Sequence, residues 1–192
     1  MANEAIKIEG VWKMLRIAGW SFAAILLLLP AVAMQLTSEV DWDTRDFIIM
    51  GAVIGMIGLG TEFLVRRSGS WAYRIGAVAA MATAFLTIWV NLAVGMIGDE
   101  NPYNLLFLAV LLVALVGSIL ANFQPAGMAR TMFAAAAVQA LLAAFGFTTD
   151  PRGAVFGMMF ALPWILAAGL FRRAGRDQGT SMVSAASGRV SG

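Results

Sequence analysis

The chain contains no cysteine and no histidine. Without thiols there is no disulfide or thiol redox chemistry. Without imidazoles, the usual proton relay and the commonest ligands of zinc and haem iron are gone as well. Lysine occurs only at Lys7 and Lys13, so a retinal-type Schiff base among the apolar segments is excluded. Charge is scarce too: Asp, Glu, Lys and Arg make up 12% of 192 residues, against about 25% in an ordinary soluble domain. The pI near 9.5 does not indicate nucleic acid, because the basic residues sit at the ends of apolar segments, where lipid headgroups would meet them. No motif for nucleotide binding, hydrolysis or metal catalysis is present. The reading therefore carries no cofactor, no metal site and no catalytic residue.

What the chain does have is apolar sequence. Hydrophobic residues make up 60% of it, and the mean hydropathy is +0.82. Six apolar runs stand out, at 18–36, 47–65, 75–97, 105–123, 127–147 and 154–171. Each is long enough to cross ~30 Å of hydrocarbon at ~1.5 Å per residue. The fold class expected is all-α: a polytopic membrane protein whose residues 18–171 form a compact bundle of six transmembrane helices. Charge sets the orientation. With the N-terminus inside, every basic residue except Arg45 and Arg152 falls in an inner segment, while Glu39, Asp41, Asp43, Asp46, Asp99, Glu100 and Asp150 fall in outer loops. The positive-inside bias alternates through every loop, so both termini are expected on the cytoplasmic side. Trp12, Trp20, Trp42 and Trp71 lie near the expected interfaces, as amphipathic rings should. Short connections make consecutive helices antiparallel neighbours.

The flanks read differently. In residues 1–17, Ile8, Val11, Trp12 and Leu15 recur at helical spacing among Glu4, Lys7, Lys13 and Arg16. That suits either an amphipathic helix at headgroup level or the inner end of the first span. Residues 172–192 are basic and then Gly/Ser-rich, a composition expected to be disordered on its own. A weak repeat relates the second and third runs to the fourth and fifth, aligning Glu62-Phe63 with Asn122-Phe123. Low-complexity apolar sequence produces such matches easily.

Few residues could carry chemistry. Gly51, Gly55, Gly58 and Glu62 fall on one helical face, a groove that lets another backbone approach closely. Glu62 reads either as an ion or proton site within a span or as an i, i+4 partner of Arg66. Thr83, Thr87 and Asn91 stack at i, i+4, i+8 and would bond to a neighbouring helix or line a substrate path; Gln139 is the other deep amide. Residues 98–104 read G-D-E-N-P-Y-N. Asn101 suits an N-cap and Pro102 a first helical residue, with Asp99 and Glu100 favoured by the helix dipole. A cation site shared by these acids with Asp41 and Asp43 is the alternative. Pro30 and Pro163 should kink the first and last spans, or break them at a transport site.

The W-x-x-x-D-F run at 42–47, Tyr73-Arg74, W-V-N-L-A-V-G-M-I-G-D-E-N-P-Y-N-L at 89–105 and G-M-A-R at 127–130 resemble a family of small bacterial inner-membrane proteins without assigned activity. The resemblance covers about half the chain. It implies a bacterial inner-membrane location and no catalytic residue. The function expected is a non-catalytic accessory or scaffolding subunit of a larger membrane complex. Its partners would be lipids and other membrane subunits or further copies of itself, with no nucleic acid. The alternative is a small oligomeric transporter or channel using Glu62, Thr87, Asn91 and Gln139 along a polar path.

Overall fold

A computed structural model describes the backbone of residues 2–98 and 101–190, and the side chains of 10–98 and 101–180. Among the described residues there is no strand. Six helical stretches are long and apolar enough to cross a membrane: Gly10–Leu36, Thr44–Arg66, Trp71–Ala93, Pro102–Leu120, Pro125–Gly146 and Pro151–Thr180. The chain divides into two compact units, Met1–Gly60 and Thr61–Gly192.

In the first unit, α1 (Ala2–Leu36) is one continuous helix. Residues 2–17 thus run without a break into the first span, whose membrane-crossing stretch begins at Gly10. Pro30 lies inside α1 without ending it. The start of α2 (Thr44–Arg66) explains the W-x-x-x-D-F run. The Asp43 and Asp46 carboxylates each accept the other residue's backbone N–H, at 3.0 and 2.9 Å, a reciprocal capping box. Trp42 before the cap packs edge-on against Phe47 in the first turn, 5.3 Å between ring centroids, a hydrophobic staple. Asp43 is thereby engaged as a cap. The glycine face of α2 receives α1. A Cβ at Gly51 would lie 3.7 Å from Leu27, and one at Gly58 would lie 2.8 Å from the Trp20 ring. Leu27 and Trp20 are seven residues apart in one direction, as Gly51 and Gly58 are in the other, so the helices lie antiparallel in register. Gly55, between them, meets nothing within 4 Å.

The second unit holds α3 (Trp71–Ala93), α4 (Leu108–Leu120), α5 (Pro125–Gly146), α6 (Pro151–Met159) and α7 (Ala161–Val190). A 3₁₀ segment, Pro102–Phe107, leads into α4. α7 packs on both α3 and α5, while α4 and α6 pack on α5. In hydrocarbon the solvent drives no helix association, so close approach must come from small side chains. The buried set matches this: Ala77 and Ala80 on α3, Ala135 and Ala136 on α5, Ala167, Ala168 and Ala174 on α7. Between them Tyr73 stacks edge-on against Phe171, 5.0 Å between centroids. Outward faces stay apolar, as with Leu112, Leu115 and Ile119 on α4. Alternating directions gather 61–71, 121–125 and 172–180 at one end, the basic end, and 94–98, 101–104 and 147–150 at the other.

Three boundaries depart from the sequence expectation. The third span ends at Ala93 rather than 97, for reasons given below. The last span breaks at Phe160, because Pro163 supplies no N–H to the preceding turn and its ring crowds the carbonyl there. Beyond 171, α7 continues as helix to Val190, where the tail was expected to be disordered. Asn122 and Phe123, aligned by the weak repeat with Glu62 and Phe63, adopt left-handed conformations (φ 47° and 57°) that end α4, whereas Glu62 and Phe63 lie within helix. The aligned positions differ in backbone conformation.

The Gly58 contact is testable by a double-mutant cycle. Gly58→Val should destabilise by about 1–3 kcal/mol through overpacking against Trp20, read by unfolding in mixed micelles. In a Trp20→Ala background the cost should vanish. An equal cost in both backgrounds would show that the two residues do not meet.

Candidate functional site

The polar residues of the second unit concentrate where α3 ends. The last turn closes normally, with Val94 and Gly95 donating to the Val90 carbonyl at 3.0 and 2.9 Å. Gly95 then takes φ +72°, a conformation that glycine enters without penalty. A Cβ there would strike the Asn104 amide and the Gly98 carbonyl. The chain doubles back, and Met96 and Ile97 turn inward to 1% and 0% exposure. Ile97 lies over Gly146 of α5, where a Cβ would come within 2.7 Å of its side chain. Burying these two residues leaves two backbone N–H groups outside any helix, and each needs a partner.

Asn104 supplies both. Its Oδ1 accepts from Met96 N at 2.9 Å and Ile97 N at 2.8 Å, while its Nδ2 donates to the Gly98 carbonyl at 2.9 Å. One amide side chain, acceptor and donor at once, stands in for the helix bonds that α3 gave up. Asn101 caps the following 3₁₀ segment by accepting from Tyr103 N at 2.9 Å, with Pro102 at its start. The Tyr103 hydroxyl reaches α5, donating to the Leu142 carbonyl at 2.8 Å. Asp150 ties the knot from the other side. Oδ2 accepts from Gly98 N and Oδ1 from Arg152 N, both at 3.1 Å, so one carboxylate caps α6 and pins the returning loop. Backbone N–H groups of Gly153, then Gly98, hold the Asp150 carboxyl below the usual carboxylate range, against a smaller desolvation effect.

Beneath this knot lies Gln139, fully buried. Its Nε2 donates to the Gly157 carbonyl at 2.9 Å, just ahead of the break at Phe160, and touches the Met96 sulfur at 3.4 Å. Its Oε1 has no partner. The threonine stripe of α3 bonds to its own helix: Thr83 donates to the Ala79 carbonyl at 2.7 Å, Thr87 to that of Thr83 at 2.9 Å, and Asn91 to that of Thr87 at 2.7 Å. The interhelical bonds expected of these groups are replaced by bonds four residues back. Glu62 pairs with Arg66 at 3.0 Å. Glu62 stands at the basic end and Asn91 in the last turn of α3, at the opposite end. Asp99 and Glu100 lie outside the described residues.

Chemically the knot offers hydrogen bonds and little else. Among the described residues no three His, Cys, Asp or Glu side chains gather as a metal site would need. The bonding roles of Asn104 and Asp150 were not read from the sequence, although Asp150-Pro151 repeats the cap-and-proline signal of 101–102. Comparison with protein-family models, with curated proteins and with solved structures finds no match. The resemblance at 89–105 thus rests on its motif alone.

Asn104→Ala strands two buried N–H groups and should destabilise by about 2–4 kcal/mol. Asn101→Ala removes one ordinary cap and should cost about 1 kcal/mol. Micelle unfolding of the two variants checks the order; equal losses would mean that Asn104 does not hold the loop.

Proposed function

We propose that the chain is a non-catalytic integral membrane protein of the bacterial inner membrane, acting as an accessory or scaffolding subunit of a larger membrane assembly. The observation that carries this reading is the state of its intramembrane polar groups. Thr83, Thr87 and Asn91 donate to their own helix, Gln139 to the Gly157 carbonyl, and Glu62 pairs with Arg66. A transport path would gather Glu62, Asn91 and Gln139 along one cavity, whereas Glu62 pairs at the basic end, Asn91 lies in the last turn of α3 at the opposite end, and Gln139 is fully buried against Gly157. The apolar outward faces leave room for lipid and for neighbouring subunits.

One observation favours the transporter alternative. Asn91 Oδ1 and Gln139 Oε1 are buried without partners, and such acceptors suit a permeating polar species.

Extraction from native membranes in mild detergent, followed by native mass spectrometry, tests the assignment. Co-purification at fixed stoichiometry with other membrane subunits is expected, and Glu62→Gln should leave that assembly intact, costing at most ~1 kcal/mol. A free homo-oligomer whose solute flux disappears in Glu62→Gln would overturn it in favour of transport.

The orientation proposed places both termini and the basic end in the cytoplasm. The cysteine-free chain makes this easy to measure. A cysteine at Thr149 should react with an impermeant maleimide in intact spheroplasts, and one at Ser68 only after permeabilisation. The reverse pattern would invert the topology.

A further inference from the structure

The arginines of the basic end fall into two groups. Arg66 pairs with Glu62, and Arg74 donates to the Ser68 carbonyl at 2.8 Å. Arg67 lies over the rings of Phe63 and Phe123, 4.6 and 5.1 Å from their centroids. These three are engaged by the protein. Arg130, Arg172, Arg173 and Arg176 are exposed and form no ion pair among the described residues. Arg130 makes only a long bond from Nε to the Ala126 carbonyl of its own helix, at 3.3 Å.

Three of these free guanidiniums converge. Arg130 on α5 faces Arg172 and Arg176 on α7 across a groove of about 440 Å³ whose floor is Ala126, Ala129 and Phe133. No acidic side chain lines it. Asp177 lies on the adjoining surface, with Arg173. The start of α5 borders the groove, and its cap residue Gln124 makes no side-chain bond to the first turn, so the helix adds its positive end to the arginine field. The groove is thus amphipathic: a cationic rim at the helix ends, and an apolar floor extending along α5 toward the hydrocarbon.

The geometry points to a binding site for one anionic phospholipid, its phosphodiester held by Arg130, Arg172 and Arg176 and its acyl chain laid over Ala129 and Phe133. Guanidinium forks match phosphate oxygens two at a time. A basic pocket between spans at the headgroup layer is where such a lipid is captured. The apolar floor distinguishes this occupant from a soluble phosphate, which would gain nothing from Phe133. The inference rests on the chain's crossing the membrane, not on the subunit assignment.

The test uses the full chain reconstituted in phosphatidylcholine bilayers with spin-labelled phosphatidylglycerol or phosphatidylcholine as probe. The labelled anionic lipid should associate at least about fivefold more strongly than the zwitterionic one, the gain expected from even a single arginine near the headgroups. The combined Arg130→Gln, Arg172→Gln and Arg176→Gln variant should bring the ratio close to one. Arg152→Gln, which removes a charge at the other end, should leave it unchanged. Equal association of the two lipids with the unaltered protein overturns the proposal without reference to any variant. So does a preference that survives the triple substitution, which would place it elsewhere. Displacement of the labelled lipid by inorganic phosphate in the aqueous phase would assign the groove to a soluble anion instead.

Discussion

Backbone N–H groups buried away from water must be bonded, and this demand governs the second unit. A helix meets it automatically; a chain that leaves the helix does not. Where α3 stops at Ala93, the next residues are nonetheless driven inward, and Met96 and Ile97 end among the best-buried side chains of the protein. Asn104 makes that possible by accepting from both of their N–H groups, and Asp150 by accepting from Gly98. The anchor points of α4, α5 and α6 follow from the same loop. Tyr103 reaches the Leu142 carbonyl, and Ile97 covers Gly146. Met96 lies against Gln139, which in turn holds the Gly157 carbonyl beside the helix break.

Packing elsewhere follows from size. Nine alanines on α3, α5 and α7 line the buried interfaces, and Gly58 accommodates the Trp20 ring within the first unit. Small residues allow helices to approach without any aqueous driving force, and large apolar residues are left to face lipid. Polar side chains inside the spans then need partners close at hand. The threonines and Asn91 find them one turn back on their own helix. The donors of this stripe are thus used within their own helix, while Asn91 Oδ1 is left buried without a partner.

Charge is kept at the ends and is used unequally there. One group of arginines is engaged by Glu62, by a backbone carbonyl and by aromatic rings. Another faces outward around an apolar groove with no acid to neutralise it. The first group is explained by the fold, and the second by an anionic partner at the headgroup layer.

Much of the architecture was legible in the sequence because it depends on local quantities. Run length and hydropathy place six spans, and Asn101-Pro102 marks the start of the fourth, since a cap and its proline act within three residues. The glycine face of α2 could be read from spacing, though not which of its glycines would receive Trp20. Chemistry between distant residues could not be read. Gly95 sits in the longest apolar run with nothing to mark its positive φ, and the Asn104 amide that rewards the turn lies nine residues on. Likewise Asp150 and Gly98, or Arg130 and Arg172, become neighbours only when α5, α6 and α7 pack. Sequence alone determined that this chain is a set of apolar helices with charge at their ends, because solvation by lipid or water acts residue by residue. Tertiary structure decided where the third span stops, how its loop is bonded and which arginines remain free, because those depend on partners that only folding brings together.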